Sequence, residues 1–530
     1  MSSPAVTNGS KIETPTPSGP PRRTISSRRT LIVSVAPAAI IFCLAAVFYI
    51  HYWPFSQKAV LEDLKEASDS TVTVQRFHPT YFPPGCILDG IEFRHGADQL
   101  KLISIEKLIV EGSYSEILRK HVPRIIAVGA HIFIPPFGSN VTFHTQPSST
   151  VVDEIIANGS YVEFESKNPH AQPFRFDVHE ATLNHVQSDA AIHYRLKFHN
   201  PNPPGEIAVS GIFGGWAKGH PEDTPISGDY TFDHADLGVY GGIAGTLAST
   251  GKFEGAWKHI NVSGTTSVPD FEVKSGSHKV KLDSRFEAYV DAMHGDTFLT
   301  RVLAHFGRTH LLAAGSIAGS KGRTGKYAEL EISSRRGRIE DVLGLFVKER
   351  SPMSGPLVLR THAEIPPSDE PFLKKVRLDS GFGVDAGNFS SAETQEDVDK
   401  LSAGARGQKM EDPETVLTEL NGRVVLAQGL ARFSDLRFSV PGAKARVHGT
   451  YDILNHKIDL HGRMRVDSNI SKTETGFKSL LLKVLDPIFK KKKKGEVVPI
   501  HILGTYEKPQ FGLDLTQNDR NQNNQKKPGE

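Results

Sequence analysis

The sequence predicts a mainly β protein built on a long antiparallel sheet, and three observations lead there. Apolar and polar residues alternate with a period of two from Thr71 onward, Gly- and Pro-rich breaks recur at hairpin-like intervals, and helical spacing is confined to a few short segments. The stretch KVKLDSRFEAYVDA (279–292) sets the pattern. Val280, Leu282, Phe286, Ala288 and Val290 fall on one side of an extended chain, and Lys279, Lys281, Asp283, Arg285, Glu287 and Asp291 on the other. In AIHYRLKFHN (191–200), Ile192, Tyr194, Leu196 and Phe198 alternate with His193, Arg195, Lys197 and His199. The segment ARVHGTYDILNHKIDLHGRMRVDS (445–468) reads as a hairpin turning at Leu454-Asn455-His456, with Ile458, Leu460, Met464 and Val466 on one face of its second strand. Such a dry face must cover a folded core, a membrane or an apolar ligand. Breaks at HNPNPPGE (199–206), SVPD (267–270) and FSVPGA (438–443) make antiparallel meanders the economical topology.

Three helical segments interrupt the strands: 59–70, 338–349 and a polar insertion at 392–420, where the main internal boundary is expected. A fourth, in TETGFKSLLLKVLDPIFKKKKKGE (473–496), places Phe477, Leu480, Leu481, Val484, Leu485 and Ile488 at helical spacing, followed by Lys490, Lys491, Lys492, Lys493 and Lys494. This basic amphipathic helix suits contact with an anionic membrane or a partner, and equally a plug at the end of the sheet.

The run LIVSVAPAAIIFCLAAVFYI (31–50) carries no charge and would rise about 30 Å as a helix, enough for one membrane crossing. Arg22, Arg23, Arg28 and Arg29 precede it and His51, Tyr52 and Trp53 follow, which places the N-terminus in the cytoplasm and the bulk beyond the membrane. A cleaved signal peptide is the rival reading, but the apolar run is long and lacks a small-x-small cleavage site. The expected organisation is a disordered tail (1–29), an anchor (30–53), a β region (54–390), a helical insertion (391–420), a C-terminal β region carrying the amphipathic helix (421–515) and a disordered tail (516–530).

Over 530 residues, 23% charged residues and a mean hydropathy of -0.30 exclude a polytopic membrane protein. A net charge of +2 supplies no electrostatic footprint for nucleic acid. Cys43 lies inside the apolar run and Cys86 beyond it, so no intrachain disulfide is expected. No catalytic constellation emerges. H-E-x-x-H, C-x-x-C, G-x-S-x-G and Walker patterns are missing, and GFGVDAG (381–387) departs from G-x-G-x-x-G. The 23 histidines are scattered, and His193, His199 and His461 read as solvated residues on polar strand faces. Asp283 and Glu287 share a strand face as many surface acids do. The expectation is a non-enzyme with no cofactor and no metal.

The order of parts, with FEGAWKHINVSGTTSVPDFEV (253–273), LNGRVVLAQGLARFSDLRFSVPGAKARVHGTYDILNHKIDLHG (420–462) and GFKSLLLKVLDPIFKKKKKGEVVPIHILGTYEKPQFGLDL (476–515), resembles the AsmA-like family of bacterial envelope proteins, related to the TamB-type repeating β-groove lipid-transfer proteins. The resemblance implies a curled, taco-like sheet with a hydrophobic groove, anchored in the bacterial inner membrane with its bulk in the periplasm. It further implies a role in binding and transferring phospholipid between membranes in support of outer-membrane biogenesis, with phospholipid, the inner membrane and outer-membrane or assembly proteins as partners. On that reading Ile192, Tyr194, Leu196, Phe198, Val280, Leu282, Phe286, Val290, Ile458, Leu460, Met464 and Val466 line the groove. The alternatives are a scaffold or regulator of outer-membrane protein assembly that carries no lipid, and an ordinary sandwich or barrel in which the same alternation fills a core.

Overall fold

The computed structural model describes residues 53–96, 99–117, 119, 121–135, 150–164, 174–187, 190–215, 217, 220–274, 276, 278–319, 325–347, 350–368, 370–406, 408, 414–466, 497–505 and 509–514. The apolar run 31–50, the tails and the amphipathic segment 473–496 lie outside the described residues. Among the described residues, no helix is long and apolar enough to cross a membrane.

Among the described residues, twenty-five strands form one sheet. They are β1 (Thr71–Tyr81), β2 (Pro84–His95), β3 (Leu100–Glu111), β4 (His121–Ile134), β5 (Val151–Phe164), β6 (Phe174–Val186), β7 (Ile192–Pro201), β8 (Pro204–Phe213), β9 (Pro225–Asp236), β10 (Ile243–Ala244), β11 (Thr246–Ala256), β12 (His259–Val273) and β13 (Lys279–Asp291). The sheet continues through β14 (Asp296–Phe306), β15 (Thr309–Gly319), β16 (Lys326–Arg338), β17 (Met353–Ser354), β18 (Pro356–Ile365), β19 (Arg377–Phe389), β20 (Thr418–Ala427), β21 (Leu430–Val440), β22 (Ala443–Asp452), β23 (Lys457–Val466), β24 (Val497–Thr505) and β25 (Pro509–Leu513). Among the described residues the α-helices are α1 (Gln57–Ser68), α2 (Tyr114–Ile117), α3 (Ile339–Gly344), α4 (Phe372–Lys375) and α5 (Ala392–Arg406).

Almost every long strand pairs with its sequence neighbour, as period-two segments joined by short turns require. The exception is β4–β5, which is parallel, with Ala127 opposite Ala157. This departs from the expected all-antiparallel meander. Residues 135–150 separate the two strands, a connection long enough to return the chain to the same end before the next strand begins.

The insertion also differs from expectation. Its helix ends at Arg406 instead of running to 420, and Thr418 already opens β20. Gly407 and Pro413 stand in the sequence just beyond the helix as breakers. Nor does the insertion separate two sheets: β19 pairs directly with β20, Leu378 opposite Leu426 and Val384 opposite Leu420. Helix α3 is likewise a shorter version of the segment expected at 338–349.

The ladder is wound. The backbone of Gly242, at the end where β9 leads to β11, meets the side chain of Phe372, which opens α4 at the opposite end of the strands beside β18. In a flat sheet, six strand spacings and one strand length would hold these sites roughly 45 Å apart. Phe372 itself packs with Ile365, Leu378, Val424 and Phe433, around buried Val376, Leu426 and Ala431.

Candidate functional site

Residues directly opposed in a β ladder project from the same side, so a face can be followed strand by strand through the registers. One row runs from Phe77 through Leu88, Leu108, Ala127, Ala157 and Ala181 to Leu196. It continues through Val209, Tyr230, Gly251 and Gly264 to Phe286. From there Val302, Ala313, Ile332, Thr361, Ser380, Val424, Phe433 and Gly449 lead to Leu460 and Ile502. No residue of this row is charged. The three alternating segments singled out in the sequence therefore belong to one face.

The flanking predicted residues follow the same registers. Tyr194 opposes Leu183 and Gly211, Ile192 opposes Phe213, and Phe198 opposes Val178 and Ile207. Val280 opposes Phe271, Leu282 opposes Val268 and Phe306, and Val290 opposes Ile260. Ile458 opposes Tyr451, Met464 opposes Ala445 and Val498, and Val466 opposes Ala443.

Cover on this face is uneven. Met464 and Val466 are buried in a cluster with Val398, Leu401 and Ala405 of α5. Val280 and Leu282 pack against Leu345, just past α3. Tyr194 is buried, its hydroxyl donates to the Ser227 carbonyl at 3.2 Å, and burial pushes its pKa up to about 12. Ile192, Leu196, Phe198, Phe286, Val290, Ile458 and Leu460 are half-buried. The membrane-contact residues expected at 477–494 lie outside the described residues.

Sequence reasoning missed the glycine and aromatic pairing on this face. A Cβ at Gly228 would meet the Phe253 ring at 2.9 Å, and one at Gly251 would meet the Tyr230 ring at 2.7 Å. These aromatic rings lie over glycines of the neighbouring strands and restore apolar cover that a bare glycine would forfeit. Gly251 and Gly264 invite that reading in sequence only once their strands are put in register.

The opposite face is charged. Arg124 donates to Glu154 at 2.7 Å, Lys197 to Glu180 at 3.0 Å and Arg446 to Asp435 at 2.6 Å. Exposed pairs of this kind contribute about 0–1 kcal/mol each, so this face contributes solubility and register more than stability. Asp283 accepts from Ser267 at 2.6 Å and from Lys281 at 2.9 Å, which hold its carboxyl below the usual range. A general acid needs the reverse.

Two of the three histidines expected to be merely solvated have carboxylate partners. His199 Nδ1 lies 2.8 Å from Glu206, and His461 has Nδ1 2.8 Å from Asp514 and Nε2 2.8 Å from Asp459. The His461–Asp514 pair joins residues 53 apart, which no local pattern reveals. Among the described residues, one group has ligand atoms close enough for a metal ion, His220, Glu222 and Asp223. Lys258 already pairs with its Asp223.

No family model, curated protein or solved structure matches this chain.

Proposed function

We propose that this is a single-pass envelope protein whose apolar sheet face binds and transfers phospholipid between membranes in support of outer-membrane biogenesis, anchored in a bacterial inner membrane through residues 31–50 with its bulk in the periplasm. The observation that carries the reading is the uncharged row from Phe77 to Ile502, unbroken across the ladder and half-buried over its middle instead of sealed beneath a second sheet. The winding marked by Gly242 and Phe372 supports a curled groove with this face inside.

The physics suits acyl chains. A sixteen-carbon chain leaving a bilayer exposes apolar surface costing about 13 kcal/mol at roughly 0.8 kcal/mol per methylene, and an apolar face removes most of that cost. The headgroup stays in water beside the charged side chains at the margin, so recognition requires no polar pocket. Phospholipid and the two membranes are then the partners, together with outer-membrane or assembly proteins. Neither a cofactor nor catalysis enters.

Native mass spectrometry with lipid extraction of the full chain, purified from membranes in mild detergent, tests this. Retained phospholipid that is lost in Leu196→Asp and Phe286→Asp, with far-UV circular dichroism unchanged, is the expected result. A folded, lipid-free wild-type chain would leave the non-transporting scaffold as the better reading.

A further inference from the structure

The apolar face is most fully covered at the two ends of the ladder and mostly half-buried between them, where Tyr194, Ile260, Val268, Ala288 and Phe306 are nonetheless buried. In β2, Cys86, Leu88, Ile91 and Phe93 share the face and all are buried. In β6 and β8, the corresponding Phe176, Val178, Ala181 and Leu183, and Ile207, Val209, Gly211 and Phe213, are all half-buried. Beyond β16 cover returns. Leu357, Ala363, Val384, Leu426 and Ala431 are buried, followed by Val440, Ala443, Val447, Met464 and Val498.

Over Val440, Ala443, Met464 and Val498 the cover is α5, and it is tied down. Val398, Leu401 and Ala405 pack on the sheet. Asp399 accepts from the Val416 amide and from Gln395, both at 2.8 Å. Gln395 accepts from the Phe389 amide, and Ser402 donates to the Pro441 carbonyl, also at 2.8 Å. Four hydrogen bonds to the ends of the flanking strands and to its own next turn make this a fixed stopper, not a swinging lid.

The chemistry of the open stretch selects its occupant. From β6 to β15, positions sharing this face carry no Lys, Arg, Asp or Glu, and the strand backbones beneath are already paired on both sides. An extended peptide lying there would leave its own amides and carbonyls without partners, at a cost that an alkyl chain never incurs. Acyl chains fit.

We infer that the lipid compartment is a closed-end stretch over β5–β15, loaded and emptied through its open side, so that the chain works as a carrier of a few lipids and not as an end-to-end conduit. Nine strand spacings give the compartment a length of about 43 Å. The inference rests on the lipid-binding reading above, and one experiment separates their failures. The full chain, unsubstituted, is incubated with vesicles containing a phospholipid that carries a diazirine at its acyl terminus, irradiated and digested, and adducts are mapped by peptide mass spectrometry. Adducts confined to residues 151–319, at least tenfold above those in β2 and β20–β24, are the expected result. Comparable labelling from β2 through β24 would overturn the closed ends and restore the conduit while leaving lipid binding intact. No adduct anywhere would overturn both readings and leave the chain's own 477–488 segment or a second copy as the occupant.

Discussion

Leu88 and Leu196 occupy the same row of the same face, yet truncating them should have different consequences. Leu88 has no exposed surface, so Leu88→Ala removes its transfer free energy and leaves a cavity, about 3–5 kcal/mol in all. Leu196 is half-buried on the open stretch, so Leu196→Ala loses only part of the transfer term and leaves no closed cavity, about 1–2 kcal/mol. A sheet in which each strand meets mainly its neighbours opens locally, and amide hydrogen exchange read by mass spectrometry is the appropriate assay. At about 1.4 kcal/mol per factor of ten, exchange in β1–β3 should accelerate by roughly 150- to 4,000-fold in Leu88→Ala. Exchange in β6–β8 should accelerate by roughly 5- to 30-fold in Leu196→Ala. Equal acceleration at the two sites would mean that the middle of the face is as sealed as its end, and the reasoning behind an open compartment would fail.

Burial pushes the Cys86 thiol up to about 12, so at pH 8 it should resist iodoacetamide in the folded chain and react only on unfolding; rapid alkylation of native protein would contradict its position in β2. Asp399→Ala strands the Val416 amide and should cost about 1–3 kcal/mol, read as faster exchange across 392–406 with β6–β8 unchanged; unchanged protection of α5 would show that its apolar stripe alone holds it. The hydrogen bond to Asp514 raises the pKa of His461 above its ordinary ~6.5, against the opposing effect of burial. Because the folded value is the higher one, the stabilisation is fully present below the unfolded pKa and disappears as pH rises through the folded one. Amides of β24 and β25, corrected for intrinsic rates, should therefore be better protected at pH 6 than at pH 8, and His461→Phe should abolish the difference; a difference that survives the substitution would assign it to another group.

Period-two alternation made the strand class and the two faces legible, because a sheet with one dry side forces it. Val280, Leu282 and Phe286 could be assigned to the apolar side without any structure. What the sequence hid was everything set by register between distant segments. The row joining Leu196 to Phe286 passes through two glycines, which carry no hydropathy signal. Parallel pairing of β4 and β5 depends on the path of the connection between them, not on either strand. Helix α5 read as a polar insertion because nine of its fifteen residues are charged or carry hydroxyl or amide groups. Yet Val398, Leu401 and Ala405 stand at i, i+3 and i+7, the spacing of a seated helix, and that stripe was available to find. Met464 and Val466 continue the alternation of Ile458 and Leu460, and only the seat of α5 distinguishes the buried pair from the half-buried one.

The neighbour-to-neighbour order of the ladder has a consequence for how the chain reaches its native state. Since nearly every strand finds its partner in the segment just before it, loop closures are short and the sheet can grow from β1 as the polypeptide emerges, each arriving hairpin templated by the last. Growth of this kind leaves an unsatisfied edge at the newest strand, which each arriving strand moves outward and which stays hazardous unless the last strand is blunted. Truncation before β24 would therefore leave β23, with Ile458 and Leu460 on its dry side, as a permanent growing tip that recruits other chains. Among the described residues the short β25, begun by Pro509, comes last in the series, and a proline at an edge offers no amide for another strand to join.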